Sequence, residues 1–498
     1  MLSTLYRLFF CLLLTLSLGS CTNFLDESDR SNFTVENYFT KPEHALGITN
    51  ATYDALKTTT GGGFGGAPWM MLEFATGLAD TELGQAMNSI FVKDLINNSD
   101  NSYGNSYWVS SYRGIANANL AIQKIPEIEM DELLKARYLG EVHFLRAYYY
   151  FNLVRIFGKV PLLTKSIDLN SSEMYPQQAE LKDIYTRIEQ DLLFAENAGL
   201  PITDLTGRVS LLATKTLLAN VYLTMAGYPL QGGKEYYEKA FHKSKEVIES
   251  KKSKLFSSYM DLHNPAKKNI DEHIFMVQFS ANHQPAGWQT SIIPYNGGIS
   301  VYADQTGAIF ANRDFVESYA KNDLRRAEKQ FYYKEYTLAS NRNNSKDLGN
   351  YYIYKLFDVE AQERTARSHM NWPLLRYADV LLTFAEAGNE VFGPTTDIYD
   401  AVNLLRKRAE LPDLQGLSKE ELRIAILQER WYELSFENKT WFDMARLRLA
   451  FNVKTKKFEN FVGHTFSYGP RLTERELLFP IPTAEIRNNT NLKQNNGY

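Results

Sequence analysis

Apolar residues at helical spacing dominate this chain, and the clearest case runs from Asp131 to Phe157. Large apolar side chains recur there at three- and four-residue steps, at Leu134, Tyr138, Val142, Leu145, Tyr149, Leu153 and Ile156. That spacing places them on one face of a helix. Gly158 and Pro161 follow and are typical of a helix end. The segment therefore predicts a long helix that must bury its apolar face against another element.

Similar segments come in pairs that glycine and proline residues separate. They are Tyr103–Ile125, Leu181–Ala198, Val209–Ala226, Tyr236–Ser250, Leu374–Phe392, Ala401–Ala409 and a helix that runs from the capping box Ser418–Glu421 through Phe436. Paired helices with short breaks favour tetratricopeptide-like hairpins, although their spacing is too irregular for a repeat array. Two stretches lack the helical period, Thr58–Asp100 and Phe256–Asn371, and predict loops with a few short strands. The predicted fold class is mostly α, a helical scaffold with large irregular insertions.

The N-terminus has the pattern of a cleavable lipoprotein signal. Arg7 precedes an apolar run from Leu8 to Leu18, which is too short to span a bilayer, and the small pair Gly19-Ser20 stands before Cys21. The chain has only two cysteines, and the other one, Cys11, lies within the signal. We therefore expect cleavage after residue 20, acylation of Cys21, and no disulfide.

Composition and patterning suggest the domain plan. After the signal at 1–20 we expect a lipidated tether at 21–32, an N-terminal helical region at 33–255 and a C-terminal region at 256–498. The C-terminal region divides into loop-rich 256–371, helical 372–450 and a tail at 451–498, and everything beyond the tether is expected to pack as one globular unit. A formal net charge of −4 gives no attraction to phosphate backbones, so nucleic acid is not an expected partner.

No catalytic or metal-binding pattern is evident. The eight histidines are scattered without a zinc-type helical pair, and the glycine run Gly61–Gly66 lacks the lysine of a phosphate-binding loop. Asp379 and Glu386 invite comparison with glycosidase carboxylates, but Arg376 lies three residues before Asp379 and is expected to pair with it. We predict a binding protein without enzymatic activity, cofactor or metal.

Sugar binding requires aromatic faces for stacking and polar groups for the hydroxyls, most often on loops. The candidates in or beside the two irregular stretches are Trp69, Asp80, Asn101, Tyr103, Trp288, Tyr295, Asn296 and Tyr302. Trp108 lies in a helical segment and is expected in the core. Several residues of the last helices are expected to form packing contacts and ion pairs, namely Glu429, Arg430, Glu433, Trp441 and Asp443.

The chain resembles the SusD/RagB family of nutrient-binding outer-membrane lipoproteins. The segments that carry the resemblance are CTNFLD from Cys21, ALGITNATYDAL from Ala45, WVSSYRGIANANLAIQKI from Trp108, EVHFLRAYYYFNLVRIFGKVP from Glu141, LRYADVLLTFAEAGN from Leu375, AVNLLRKRAELP from Ala401, ILQERWYELSFENKTWFDMAR from Ile426 and LFPIPTAEIRNNTNLKQNNGY from Leu478. These segments are in the family's order and cover essentially the whole mature chain. One departure is the tail Asn495–Tyr498, where the family commonly has a proline before the glycine.

The resemblance implies a cell-surface lipoprotein that covers a SusC-like TonB-dependent transporter in the outer membrane. Members capture oligosaccharides, or in some cases peptides, and pass them to the transporter. The sequence leaves three alternatives open: a peptide or another nutrient as ligand, a surface glycosidase, and a purely structural tetratricopeptide adaptor with a groove lined by helices.

Overall fold

The computed structural model describes residues 38–60, 67–82, 86–167, 174–295, 297–300, 305–338, 341–365 and 367–498. About 51% of the chain is helical, which confirms the mostly α class. The helices are α1 (Pro42–Thr60), α2 (Met70–Phe74), α3 (Met87–Lys93), α4 (Ser102–Lys124), α5 (Glu132–Phe157), α6 (Leu181–Glu196), α7 (Leu211–Ala226), α8 (Lys234–Glu249), α9 (Arg313–Ser318), α10 (Tyr377–Phe392), α11 (Thr396–Arg408), α12 (Lys419–Glu433), α13 (Thr440–Leu447) and α14 (Thr483–Asn488). Successive long helices pack against each other, α4 on α5, α5 on α6 and α7 on α8, while α8 in turn contacts α10.

The long helix α5 has the ends that its sequence predicts. Asp131 caps it, because its carboxylate accepts a hydrogen bond of 2.8 Å from the backbone N–H of Leu134. Gly158 follows the last turn with φ of +72°, and a Cβ there would lie 2.8 Å from Cδ1 of Leu478. Only glycine fits both the backbone conformation and the close approach.

The strands lie between the helical blocks and near the end of the chain. They are β1 (Ala79–Asp80), β2 (His273–Val277), β3 (Phe310–Ala311), β4 (Tyr332–Leu338), β5 (Asn341–Ile353), β6 (Trp372–Arg376), β7 (Leu449–Asn452) and β8 (Lys457–Asn460). They form a sheet in the order β1-β3-β5-β4 and two antiparallel pairs, β2 with β6 and β7 with β8. Strands β2 to β5 lie within 256–371, and β5, with 13 residues, is longer than the short strands expected there.

Two sequence predictions differ from the structure. The predicted helix from Leu374 begins at Tyr377, because Trp372–Arg376 forms β6 and pairs with β2. A short apolar run fits a buried strand as well as a helix, so periodicity could not separate them. The stretch Thr58–Asp100, predicted to be irregular, contains α2 and α3.

One large hydrophobic core takes residues from both predicted regions, including Phe144 on α5 and Phe275 on β2, whose ring centroids are 5.1 Å apart. Trp108 is 3% exposed and packs on Phe157 with a centroid distance of 5.2 Å, which confirms its predicted core position. Among the helices in the described residues, none is long and apolar enough to cross a membrane.

A buried network of charges joins α11 and α12 to neighbouring strands and loops. We call it the paired-charge cluster: Glu272, Arg325, Arg376, Arg408, Glu429, Glu433 and Glu437. Arg376 reaches Glu272 at 2.7 Å, Glu433 at 2.8 Å and Glu437 at 2.6 Å. The predicted pairing of Arg376 with Asp379 is wrong. Arg376 ends β6, and its side chain meets carboxylates that lie far away in sequence.

Asp379 instead pairs with Arg430 at 3.1 Å and with Lys439 at 3.2 Å. Arg430 also reaches Asp443 at 3.1 Å. The expected ion pairs among the last helices are thus confirmed. Each of these buried charges has a counterion, so removal of one partner would leave a costly unpaired ion.

Candidate functional site

The two irregular stretches of the sequence meet in one sheet. Strand β1 comes from the first stretch and β3 and β5 come from the second, and β1 pairs with β3 through Ala79 with Ala311 and Asp80 with Phe310. The regions that the sequence proposes as sources of ligand contacts are therefore neighbours.

Two residues after β1, Glu82 contacts three parts of the second stretch. Its carboxylate accepts a hydrogen bond of 2.7 Å from the backbone N–H of Tyr295 and another from the hydroxyl of Tyr352. Its own N–H donates to the carbonyl of Gly307 at 2.9 Å. Gly307 has φ of +55°, and a Cβ there would collide with the Glu82 carboxylate. We call Asp80, Glu82, Tyr295, Gly307 and Tyr352 the sheet junction.

Tyr295 is the residue of the sheet junction that offers a ring to the outside. Its exposed fraction is 59%, higher than that of any other exposed aromatic residue in the described part of the chain. Tyr352 beneath it is fully buried, and burial, followed by the hydrogen bond with Glu82, raises the pKa of its phenol. The arrangement holds the backbone of Tyr295 from below and leaves its side chain free to contact a ligand.

Asp80 adds a half-exposed carboxylate on the same strand. Its side chain accepts a hydrogen bond of 2.8 Å from the N–H of Thr81 and lies 3.8 Å from the Lys93 ammonium group. Lys93 is closer to Asp94, at 2.9 Å. Asp80 therefore keeps acceptor capacity for a ligand hydroxyl.

The structure places two of the predicted stacking residues in the core. Trp69 and Trp288 have no exposed surface, and both pack on Trp372, with centroid distances of 4.9 and 5.3 Å. The indole N–H of Trp288 donates to the carbonyl of Leu356 at 3.1 Å. Neither ring has a face open to a ligand. Where a loop packs on the core, its large aromatic side chains bury their surface there.

Asn101 and Tyr103 have structural positions at the start of α4. Asn101 caps the helix, accepting a hydrogen bond of 2.9 Å from the N–H of Tyr103, and its amide donates to Asn97 at 2.8 Å. The Tyr103 hydroxyl is 3.1 Å from Oγ of Ser89, and burial raises its pKa. Three further predicted residues, Cys21, Asn296 and Tyr302, lie outside the described residues.

No local pattern in the sequence marks Glu82 or Tyr352 as residues of the site. Their contact joins residues 270 positions apart, and Glu82 reaches Tyr295 across 213 positions. No local spacing encodes such contacts. The only available signal was an acidic residue two positions after Asp80 in the same irregular stretch.

A groove lies elsewhere, where α4 faces the C-terminal α14. Its volume is about 600 Å³, and Trp108, Tyr112, Tyr175 and Asn489 are among the residues that line it. Tyr175 is 50% exposed. An exposed aromatic ring, Tyr175, and a side-chain amide, Asn489, therefore line the same groove.

The carboxylates compared above with those of a glycosidase are tied up in ion pairs. Glu386 binds Arg446, with an Oε2–Nη2 distance of 2.7 Å. Asp379 is buried, which acts to raise its pKa, but Lys439 and Arg430 hold that pKa well below its ordinary value. Asp379 is therefore held as a carboxylate and does not serve as a proton donor. Within the described ranges, no group of three or more histidine, cysteine, aspartate or glutamate residues could hold a metal ion.

Two family models match the chain. Residues 300–498 match the SusD family, and residues 66–258 match a family described as starch-binding and associating with the outer membrane. A SusD superfamily protein of Parabacteroides distasonis, solved by crystallography, is 40% identical, and its structure covers 94% of this chain and 100% of its own with a TM-score of 0.89. The chain belongs to the SusD family.

More distant SusD relatives extend this comparison. SusD-like protein P2 of Formosa agariphila is 27% identical over 99% of both chains. Surface glycan-binding protein A of Bacteroides thetaiotaomicron, solved in complex with laminarihexaose, is 20% identical with a TM-score of 0.72 and covers 92% of this chain and 100% of its own. At that identity the likeness concerns the fold alone.

Proposed function

We propose that this SusD-family chain is a glycan-binding protein of the cell surface, and that the sheet junction is its binding surface. The observation that carries the proposal is the exposed ring of Tyr295, whose backbone N–H donates to the Glu82 carboxylate. Asp80, two residues before Glu82 in the chain, supplies a further carboxylate. An aromatic face next to acceptors suits a pyranose ring, which has an apolar face and a rim of hydroxyls. The shared fold with a protein that holds laminarihexaose supports the same reading.

Within this proposal the predicted residues take different roles. Tyr295 stacks on a sugar, and Asp80 accepts from its hydroxyls, while Asn296 and Tyr302 are proposed as further contacts. The buried residues do not contact the ligand. Trp69 and Trp288 support the loops from the core, and Asn101 and Tyr103 stabilise the start of α4.

The ligand class is tested with the purified mature chain. Immobilised glycans and a peptide library are presented in parallel, and the products are checked for cleavage. We expect retention of one glycan class without hydrolysis. Selective peptide binding would show that the ligand is a peptide and not a glycan. Release of oligosaccharides would favour the surface glycosidase.

We also propose that the chain is acylated at Cys21 and attached by its lipid to the outer membrane, facing outward. Each buried methylene contributes about 0.8 kcal/mol, so several acyl chains give firm attachment. Cys21→Ala should move the protein from the membrane fraction to the soluble fraction. Cys11→Ala is the matched control and should leave the fractionation unchanged.

The partner we propose is a SusC-like TonB-dependent transporter that receives the glycan. Obligate interfaces usually bury more than about 2,000 Å², so a permanent pair should survive gentle solubilisation. Copurification from detergent extracts should recover a much larger membrane protein in stoichiometric amount. Recovery of the lipoprotein by itself would argue against a permanent complex and in favour of an independent binding protein.

A further inference from the structure

A cavity of about 260 Å³ lies where the ends of α5, α7 and α13 meet the C-terminal tail. Four arginines line it, Arg155, Arg446, Arg448 and Arg475, against a single acidic residue, Glu474. We call it the arginine pocket. None of the five residues of the sheet junction lines it, so it is a separate site.

Arg155 is the central cation of this pocket. Its guanidinium lies between the rings of Phe151 and Phe442, 3.6 Å from each centroid. Its hydrogen bonds go to neutral acceptors of its own helix, the carbonyl of Phe151 at 2.9 Å and the amide oxygen of Asn152 at 2.8 Å. It forms no ion pair with any carboxylate of the described residues. Burial lowers its pKa to about 10, which still leaves it charged at neutral pH.

Arg448 is the second uncompensated cation. It stands at the end of α13 in the left-handed conformation, and its guanidinium lies 4.7 Å from the centroid of the Tyr228 ring. In the part of the chain that the structure describes it has no ion pair either. The exposed Glu474 carboxylate acts on it only from beyond ion-pair distance, and burial lowers its pKa.

The other two arginines of the pocket are already neutralised. Arg446 binds Asp443 at 2.8 Å and also Glu386, and Arg475 binds Glu476 at 3.1 Å. The wall therefore carries two unpaired guanidinium groups against one exposed carboxylate. A partly buried cation without a counterion is unfavourable, and an anion that entered the pocket would offset that cost.

We propose that the arginine pocket binds a small acidic sugar through its carboxylate or sulfate group. Guanidinium groups pair with planar or tetrahedral oxyanions through parallel N–H donors. The volume is below the roughly 300–1,000 Å³ of pockets for larger ligands, so it suits one monosaccharide unit. Tyr185 and Thr224 also line the pocket and supply hydroxyls for the sugar, while the Phe442 ring supplies an apolar wall.

Calorimetric titration of the mature chain tests this assignment with glucuronate, galactose 6-sulfate, glucose and inorganic sulfate. We expect one or both acidic sugars to bind at least tenfold more tightly than glucose, and the two acidic ligands distinguish carboxylate from sulfate. Equal affinity for glucose overturns the proposal. Sulfate alone binding as tightly as the sugar sulfate reduces the pocket to an anion site and overturns the sugar assignment.

Arg448→Gln should weaken the acidic sugar at least tenfold, and this residue is only partly buried, so the variant should fold. Arg155→Lys keeps the positive charge but loses the parallel N–H donors of the guanidinium group. Its affinity for the acidic sugar should lie between those of Arg448→Gln and the wild type. Arg487→Gln, on the exposed surface of α14, is the matched control and should bind normally. Unchanged affinity of Arg448→Gln for the acidic sugar contradicts the proposal. Tyr295→Ala, in the sheet junction, should bind the acidic sugar as tightly as the wild type.

Discussion

The paired-charge cluster and the sheet junction use carboxylates in opposite ways. In the cluster, Glu433 and Glu437 are buried, and guanidinium groups neutralise their charge in contacts that join separate elements of the fold. In the sheet junction, Glu82 binds a backbone N–H and a hydroxyl and thereby presents the ring of Tyr295 to solvent. A concentration of charge thus marks the rigid part of this molecule, and an exposed ring on a fixed backbone marks the part suited to binding.

The strongest test of this contrast is Arg376→Met. The variant leaves Glu272, Glu433 and Glu437 with one cation fewer in a buried space. Removing one partner of a buried ion pair costs about 3–5 kcal/mol. Urea denaturation should show this decrease in the free energy of unfolding. The folded fraction of the variant should bind glycan with the same affinity as the wild type.

Arg423→Met is the control for this variant. Arg423 is about one-third exposed, and its pair with Glu390, at 2.7 Å from Nη2 to Oε2, is less buried than those of the paired-charge cluster. Exposed pairs contribute about 0–1 kcal/mol, so the urea midpoint should change little. Similar losses in both variants would show that burial does not decide the strength of these pairs.

Trp288→Ala probes the boundary between the two regions, because Trp288 lies only seven residues before Tyr295 but is fully buried. The free energy of unfolding should fall by about 3–5 kcal/mol through the cavity that the ring leaves. Trp288→Phe should cost less, since the carbonyl of Leu356 keeps its hydrogen bond from Gln289. A stable Trp288→Ala protein that has lost glycan binding would place this ring at the ligand.

The long helices could be predicted because their signals are local. Asp131 before α5, Gly158 after it and the capping box at Ser418 all act within a few residues. The partners of Arg376 lie 57 to 104 positions away and Tyr295 lies 213 positions from Glu82. Such contacts depend on how the helical blocks and the sheet pack, and no spacing in the sequence encodes them. For the same reason, the sequence could not separate the buried Trp288 from the exposed Tyr295.

Glu73 provides a pH test of the scaffold, as a buried carboxylate without a cationic partner at ion-pair distance in the described residues. Burial raises its pKa to about 7, although its Oε1 accepts a hydrogen bond of 2.6 Å from the N–H of Asn438. The unfolded value is about 4.5, so between pH 4.5 and 7 the folded state binds more protons than the unfolded state. Stability should therefore fall as pH rises through that range, by about 3 kcal/mol from this group.

Glu73→Gln should flatten this dependence, because the amide cannot ionise. Urea midpoints at pH 5, 6 and 7 for both proteins measure the difference in slope. Parallel slopes would mean that Glu73 is already ionised in the folded state, and that this scaffold carboxylate is stabilised as well as those of the paired-charge cluster.

Tyr295→Ala has the smallest expected effect and the most direct bearing on function. Stacking by one aromatic ring contributes of the order of 1 kcal/mol, so glycan affinity should fall about tenfold, equivalent to about 1.4 kcal/mol. The urea midpoint should be unchanged, because the ring is 59% exposed and the bond to Glu82 comes from the backbone N–H, which alanine keeps. Tyr295→Phe should bind almost normally if the face of the ring makes the contact. Tyr175→Ala, which removes the exposed ring of the groove between α4 and α14, serves as the matched control. If Tyr175→Ala weakens binding while Tyr295→Ala does not, the glycan binds in that groove and the sheet junction serves the fold.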